Sequence, residues 1–143
     1  MSPVCIRDME GRDCLAVAAV WRNVFTPLTD EAVIEACKKM DGDSRYRIFV
    51  ADIAGDVVGF VTTVEALALN MPNGYIKING LAVLPEYRRR GIGKMLMERV
   101  EELARERDIS RICLASGFSR TEAHKFYERL GYEKLSFWFH KRI

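Results

Sequence analysis

The chain has 143 residues, of which 49% are hydrophobic and 29% are charged, and its formal net charge is +2. This composition suits one globular domain over residues 1–143, with enough apolar residues for a sizeable core. The near-neutral balance gives no general reason to expect a nucleic-acid or membrane partner. No apolar run approaches the roughly 20 residues that cross a bilayer, and the N-terminus lacks a signal-peptide pattern.

The spacing of the cysteines indicates whether disulfides or a metal site are to be expected. The four cysteines are far apart and form no C-x-x-C pair, and the only histidines, His124 and His140, do not stand at metal-ligand spacing from them. We therefore expect free thiols, no metal and a cytoplasmic location.

The first half of the chain predicts a strand, two helices and a hairpin. The segment VCIRDM is typical of a short strand, and residues 12–24 and 29–39 have helical patterns. The run YRIFVADIAGDVVGFVTTVEA predicts two strands joined by a turn at residues 54–56. Residues 66–74, which are rich in turn formers near their end, predict a loop.

The second half predicts a helix between two strands. YIKINGLAVL is strand-like and ends before Pro85, an amphipathic helix follows, and RICLAS is a short buried strand. Ser119 and Glu122 form a capping-box pattern before a helix that stops at Gly131, and EKLSFWFHKR predicts a last strand. Because parallel neighbouring strands need such a crossover, we expect a mixed α/β fold with helices on both faces of the sheet.

The stretch YRRRGIGKML concentrates positive charge and glycine at a strand-to-helix junction. A dinucleotide fingerprint would need a third glycine where Leu96 stands, and a Walker loop would need Gly and Ser or Thr where Arg88 and Met95 stand. The pattern instead suits an anion that is held by backbone N–H groups at a helix N-terminus, assisted by arginine. A solvated basic turn, in which the glycines serve only geometry, is the alternative.

Two linked segments resemble motifs of the GNAT N-acetyltransferase superfamily. LAVLPEYRRRGIGKML resembles its acyl-CoA-binding motif R/Q-x-x-G-x-G/A, matched by Arg88, Gly91 and Gly93. EAHKFYERLGYEK resembles the second characteristic segment of the family, and the two occur in the family's order. The resemblance implies a mixed, mostly antiparallel sheet with one splayed parallel pair of strands, and acetyl-CoA as cosubstrate.

The resemblance also assigns coenzyme contacts. The pantetheine arm would lie along the strand before the basic turn, and backbone N–H groups of the turn would hold the pyrophosphate. Many members carry an Asn before the second segment, whereas this chain has FSRTEA, in which Ser119 is a weak substitute. The residues assigned to the coenzyme are Leu81, Ala82, Val83, Arg88, Arg89, Arg90, Gly91, Ile92, Gly93, Lys94 and Ser119.

The implied reaction is direct transfer of acetyl from the thioester to a primary amine. SRTEAHKFYERLGY resembles segments of small-molecule acetyltransferases, which favours a small acceptor. Tyr127 matches the family position whose hydroxyl commonly approaches the coenzyme sulfur, which makes it the candidate general acid; it also shares a helical face with Phe126 and Leu130 and would suit a core.

The general base is less well defined by the sequence. Glu65 is the best carboxylate for a base acting through water, and a solvated strand-end acid is the alternative. Asn79 or Ser116 could orient the water instead.

Two other functions stay open at this stage. One is a coenzyme-binding sensor without turnover, and the other is a small module whose basic turn contacts nucleic acid. The aromatic segment SFWFH favours a homodimer, because an exposed apolar edge tends to be covered, but it could equally complete the core of the monomer.

Overall fold

The computed structural model describes residues 2–143, which divide into two compact units; the first ends at Cys113 and the second comprises Leu114–Ile143. The helices and strands of the first unit are β1 (Val4–Asp8), α1 (Cys14–Val24), α2 (Asp30–Met40), β2 (Tyr46–Ile53), β3 (Asp56–Ala68), β4 (Met71–Val83) and α3 (Ile92–Glu106). Strand β5 (Ile112–Leu114) spans the boundary, and α4 (Thr121–Arg129) lies in the second unit.

The strands form one sheet in the order β1-β2-β3-β4-β5. The pairs from β1 to β4 are antiparallel, with Phe49 opposite Val61 and Val61 opposite Leu81. Helix α3 connects β4 to β5 as a crossover, which makes this pair parallel. The predicted mixed, mostly antiparallel sheet with one parallel pair is confirmed.

Helices α1 and α3 cover opposite faces of this sheet. Phe60 of β3 belongs to a buried cluster with Val17 and Val20 of α1. A Cβ on the preceding residue, Gly59, would lie 3.5 Å from Leu96 of α3. Because consecutive strand residues point to opposite faces, α1 packs on one side of the sheet and α3 on the other.

Residues 66–74 form strand and a tight turn, so the predicted loop is wrong. β3 continues to Ala68 and β4 begins at Met71, which pair with each other across the turn. The next recorded pair is Ala66 with Tyr75, so extra β4 residues form a bulge there, and Gly74 within it has a φ of +87°. The turn-forming residues therefore lie in a bulge and not in a loop, because a bulge can also require a positive φ such as that of Gly74.

The predicted last strand is absent from the part of the chain that the structure describes: residues 133–143 have no regular secondary structure and are exposed. A strand needs a neighbour for its backbone N–H and C=O groups, and none of the five strands pairs with this segment. The β-rich composition of the segment therefore does not suffice to form a strand within one chain.

Candidate active site

Backbone conformation at the start of α3 creates an open junction after β4. A short 3₁₀ turn, Pro85–Tyr87, follows the strand, and Gly91 is the N-cap of α3 with a φ of +75°. Arg89 is also left-handed, with a φ of +64°, a conformation that costs about 1–2 kcal/mol for an L-residue. The turn before α3 is therefore shaped by two residues in the left-handed conformation, which favours glycine.

The N–H groups of residues 89–94 point to an anion site. Arg88 donates its N–H to the Pro85 carbonyl at 3.3 Å, and Met95 makes the first α-helical bond, to the Gly91 carbonyl at 3.0 Å. No group in residues 2–143 is recorded as accepting from the six N–H groups between them. A Cβ built on Gly91 would meet nothing within 4 Å. Unpaired donors, open space and a helix N-terminus together fit a pyrophosphate.

The side chains of the basic turn contribute less than its backbone. Arg88 donates from Nε to the Val83 carbonyl at 3.3 Å, and the Arg90 guanidinium lies 5.2 Å from the Tyr87 ring centroid. Lys94 lies 3.9 Å from Glu98, one turn further along the helix. Residues 88–91 are exposed, so their charges stand in solvent beside the open junction. The arginines thus supply a local positive field, while the N–H groups supply direct hydrogen bonds.

The end of β4 is the predicted path of the pantetheine arm. A second bulge lies at Asn79, because Gly80 pairs with Thr62 and Ile78 pairs with the next residue of β3. The Leu84 N–H donates to a carbonyl of β3 at 2.9 Å, so the N–H of Val83, one residue earlier, faces away from β3. The three-residue β5 can pair with only a short part of β4. The backbone N–H of Val83 therefore points to the side of β4 on which β5 lies, and β5 is only three residues long.

Glu65 lies on β3 and has an ion pair that the sequence did not indicate. Its carboxylate oxygens lie 3.1 and 3.2 Å from Nη1 of Arg107, and its side chain is 16% exposed. Arg107 is the C-cap of α3, whereas the basic turn precedes the first residue of that helix. Because the partners are 42 residues apart in sequence, no local pattern could have revealed this contact.

Tyr127 lies on α4 in the second unit and is half-buried. Its ring centroid lies 5.3 Å from that of Phe126 and 6.2 Å from that of Tyr132, both in edge-to-face arrangements. Desolvation by burial raises the pKa of its hydroxyl, opposed in part by the charge of Arg120. The group therefore keeps its proton at neutral pH, as a proton donor must.

Ser119 does not cap α4, so the predicted capping box is wrong. The helix begins at Thr121 and its N-cap is Arg120, without a side-chain capping bond. The Arg120 N–H donates to the Gly117 carbonyl at 3.1 Å, and His124 Nε2 lies 2.8 Å from the same oxygen. This turn moves the helix start beyond Ser119, which is exposed.

Trp21 of α1 lies against β4 near the Asn79 bulge. A Cβ on Gly80 would come within 2.9 Å of Trp21 Cζ3, so only glycine permits this approach. The indole ring centroid lies 4.8 Å from that of Phe25 and 6.0 Å from that of Phe60. The sequence alone did not indicate this role of Gly80.

The structure gives less support to a site in the main pocket, to a metal site or to a membrane-spanning helix. An open pocket of about 520 Å³ lies between α1 and the β2–β3 turn, but none of the predicted site residues lines it. Among residues 2–143, no group of three or more His, Cys, Asp or Glu side chains could hold a metal ion. No helix within the same residues is long and apolar enough to cross a membrane.

Comparison with known proteins gives matches over most of the chain. A model of the Acetyltransferase (GNAT) family matches residues 16–132. The aminoalkylphosphonate N-acetyltransferase of Salmonella typhimurium is 32% identical over 108 residues, which are 76% of this chain and 69% of the relative. The N-acetylaspartate synthetase of Danio rerio is 32% identical over 107 residues, 75% of this chain and 36% of the relative.

The fold also matches a solved structure. The aminoglycoside N-acetyltransferase AAC(6')-Iy in complex with CoA superimposes with a TM-score of 0.88 at 18% identity, over 100% of this chain and 96% of that one. The fold, the sequence matches and the donor groups before α3 define an acetyl-CoA-dependent N-acetyltransferase. The chain belongs to the GNAT acetyltransferase family. The sequence prediction of this family, its fold and its cosubstrate is confirmed.

Proposed function

We propose that the protein acetylates the primary amine of a small molecule, and that its coenzyme is held mainly by the backbone before α3. The observation that carries this proposal is the row of unpaired N–H groups at residues 89–94 beneath the open space at Gly91. Two relatives support a small acceptor by name, one for aminoalkylphosphonates and one for aminoglycosides.

The assigned contacts follow the motifs residue by residue. Leu81, Ala82 and Val83 would border the pantetheine arm, with a backbone N–H near Val83 facing the thioester carbonyl. The N–H groups of residues 89–94 would bind the pyrophosphate, since a buried anion needs such donors. Ser119, which caps no helix, stays a proposed contact of the pantetheine arm.

The proposed chemistry is attack by a neutral amine on the thioester carbonyl, after which the C–S bond breaks. The nitrogen of the adduct loses its extra proton to solvent as the amide forms, the departing thiolate takes a proton from Tyr127, and solvent then reprotonates the tyrosinate. An alkyl ammonium has an ordinary pKa of ~10.4, so the amine must first lose a proton. We assign that step to Glu65 acting through water; its ion pair with Arg107 would have to leave one oxygen able to accept.

Product formation tests the function directly. The purified chain is incubated with acetyl-CoA and, separately, an aminoalkylphosphonate, an aminoglycoside and a peptide with a free N-terminus, and acetylated product is followed by mass spectrometry. We expect transfer to at least one small amine. Binding of CoA without transfer to any amine would instead support a sensor, and indifference to CoA would refute the proposed coenzyme site.

Two variants separate the catalytic roles. Tyr127→Phe removes the hydroxyl but keeps the ring against Phe126, so we expect kcat to fall at least ~10-fold with KM for acetyl-CoA nearly unchanged. Glu65→Gln removes the charge, and a base role predicts that kcat falls most at low pH, where less of the amine is already neutral. If the pH profile of kcat is unchanged in this variant, Glu65 is not the base and its role is only structural.

We also propose a homodimer formed through the C-terminal segment. Phe137, Trp138 and Phe139 are 75%, 65% and 90% exposed, and a second copy could cover them. Light scattering should give twice the monomer mass, and a monomer mass at every concentration would refute the dimer. The cytoplasmic location, and the expected absence of nucleic-acid and membrane partners, stay predictions.

A further inference from the structure

Two thiols of the first unit lie in contact across a helix pair. Cys14 is the first residue of α1 and Cys37 lies in the last turn of α2. Their Sγ atoms are 3.1 Å apart, with the Cys14 thiol donating to Cys37. Cys14 is 9% exposed and Cys37 is half-buried, so the pair can be reached from the Cys37 side.

Helix α2 buries little of its surface, and apart from this contact the ion pair between Arg22 and Asp30, at 2.7 Å, ties its first residue to α1. None of its eleven residues is fully buried, and Ile34 is 38% exposed. Thr29 caps its start by accepting from the Ala32 N–H at 3.2 Å, which stabilises the helix locally but does not bind it to the sheet. A helix with so little buried surface can adjust its position slightly, as closure of a covalent bond would require.

We propose that Cys14 and Cys37 are a redox-sensitive pair that forms a reversible disulfide between α1 and α2 on exposure to hydrogen peroxide. One thiolate attacks the peroxide, which yields a sulfenic acid and releases water once the leaving oxygen is protonated. The second thiolate attacks that sulfur, the S–S bond forms, and the sulfenic oxygen departs as a second water. Two thiols thus lose two electrons and two protons to one peroxide.

The pH dependence of the oxidation follows from the surroundings of the pair. Burial, and next the hydrogen bond with Cys14, raise the pKa of the Cys37 thiol to about 11. Peroxide attacks the thiolate, which is scarce at Cys37 at neutral pH, so attack by Cys37 is slow there. No basic side chain is among the causes of that shift. Oxidation that begins at Cys37 should therefore speed up about tenfold per pH unit between pH 7 and 9.

The link would close a long segment. The two cysteines are 23 positions apart and enclose most of the α1–α2 hairpin. Joining such positions restricts the unfolded chain far more than the folded one, in which the sulfur atoms already touch. We therefore expect the oxidised protein to melt about 10 °C above the reduced protein, and dithiothreitol to reverse the change.

Peptide mapping of the full chain tests the pair. After hydrogen peroxide at pH 8 the intact mass should fall by about 2 Da. After the remaining thiols are then blocked, trypsin should give residues 13–22 linked to residues 23–38. A variant with Cys5→Ser and Cys113→Ser is the matched control, and it should keep both the linked peptide and the rise in melting temperature. Cys37→Ser should lose both.

Three results would overturn the proposal. They are links that involve Cys5 or Cys113 in place of this pair, links only between chains, and a cross-linked protein that melts no higher than the reduced one. The mapping of the parent chain does not depend on any variant folding. None of these measurements uses acetyl transfer, so their failure leaves the proposed function untouched.

Discussion

Gly91→Ala tests whether the coenzyme pyrophosphate lies at the start of α3. The glycine has a φ of +75°, so alanine there costs about 1 kcal/mol, which lowers the melting temperature by about 3–5 °C. The new methyl group would occupy the open space above the N–H groups of residues 89–94. If it displaces the anion from two of these donors, each worth about 1.5–3 kcal/mol to a charged group, affinity for CoA falls at least ~100-fold.

Gly42→Ala is a matched control because that glycine has a φ of +78° and likewise has nothing within 4 Å of a built Cβ. It should cost the same stability but leave the affinity for CoA unchanged. Isothermal titration with CoA and thermal melts of both variants give the two quantities separately. Equal affinities in the two variants would show that the pyrophosphate lies elsewhere, whatever the stabilities are.

Three further predictions concern buried groups. Asp13→Ala should cost about 1.5–3 kcal/mol, because Arg7 loses its 2.8 Å partner but keeps Asp52 at 3.0 Å. Hydrogen bonding from Arg7 lowers the pKa of Asp13, so this stabilisation should be present above pH ~4 and lost below it in denaturant titrations. Gly80→Ala should cost about 1–3 kcal/mol, because its methyl group would meet Trp21 at 2.9 Å; an unchanged unfolding midpoint would contradict that contact. Burial raises the pKa of Tyr127, so the parent chain should lose stability relative to Tyr127→Phe only above pH ~10, and a difference that is constant with pH would refute this.

Sequence reasoning succeeded where a local pattern has one structural solution. The helical spacing after Gly91 predicted α3, whose apolar face is fully buried between that glycine and Glu106. Gly91 stands at the predicted strand-to-helix junction, and its φ of +75° suits glycine whether or not an anion binds there. In both cases neighbouring residues determine the conformation, so no distant contact was needed.

It failed where the hydrogen-bond partners of the backbone decide the outcome. Pro72 and Gly74 predicted a loop, but pairing with β3 keeps this segment in the sheet and turns it into a bulge. The C-terminal aromatic run has strand composition, yet none of the five strands within residues 2–143 pairs with it. Ser119 has the spacing of a cap, but the turn at the Gly117 carbonyl moves the helix start past it. In each case the outcome depends on which backbone hydrogen bonds form, and composition cannot reveal this.

The same distinction explains why the coenzyme can be inferred from this sequence while the acceptor amine cannot. The groups that would bind the pyrophosphate are backbone N–H groups, which every non-proline residue carries, so side-chain identity matters less there than the glycines that shape the turn. The acceptor must instead be recognised by side chains that several elements bring together. Such side chains can differ between proteins that keep the same turn. Relatives about one third identical to this chain accordingly bear names as different as aminoalkylphosphonate N-acetyltransferase and N-acetylaspartate synthetase.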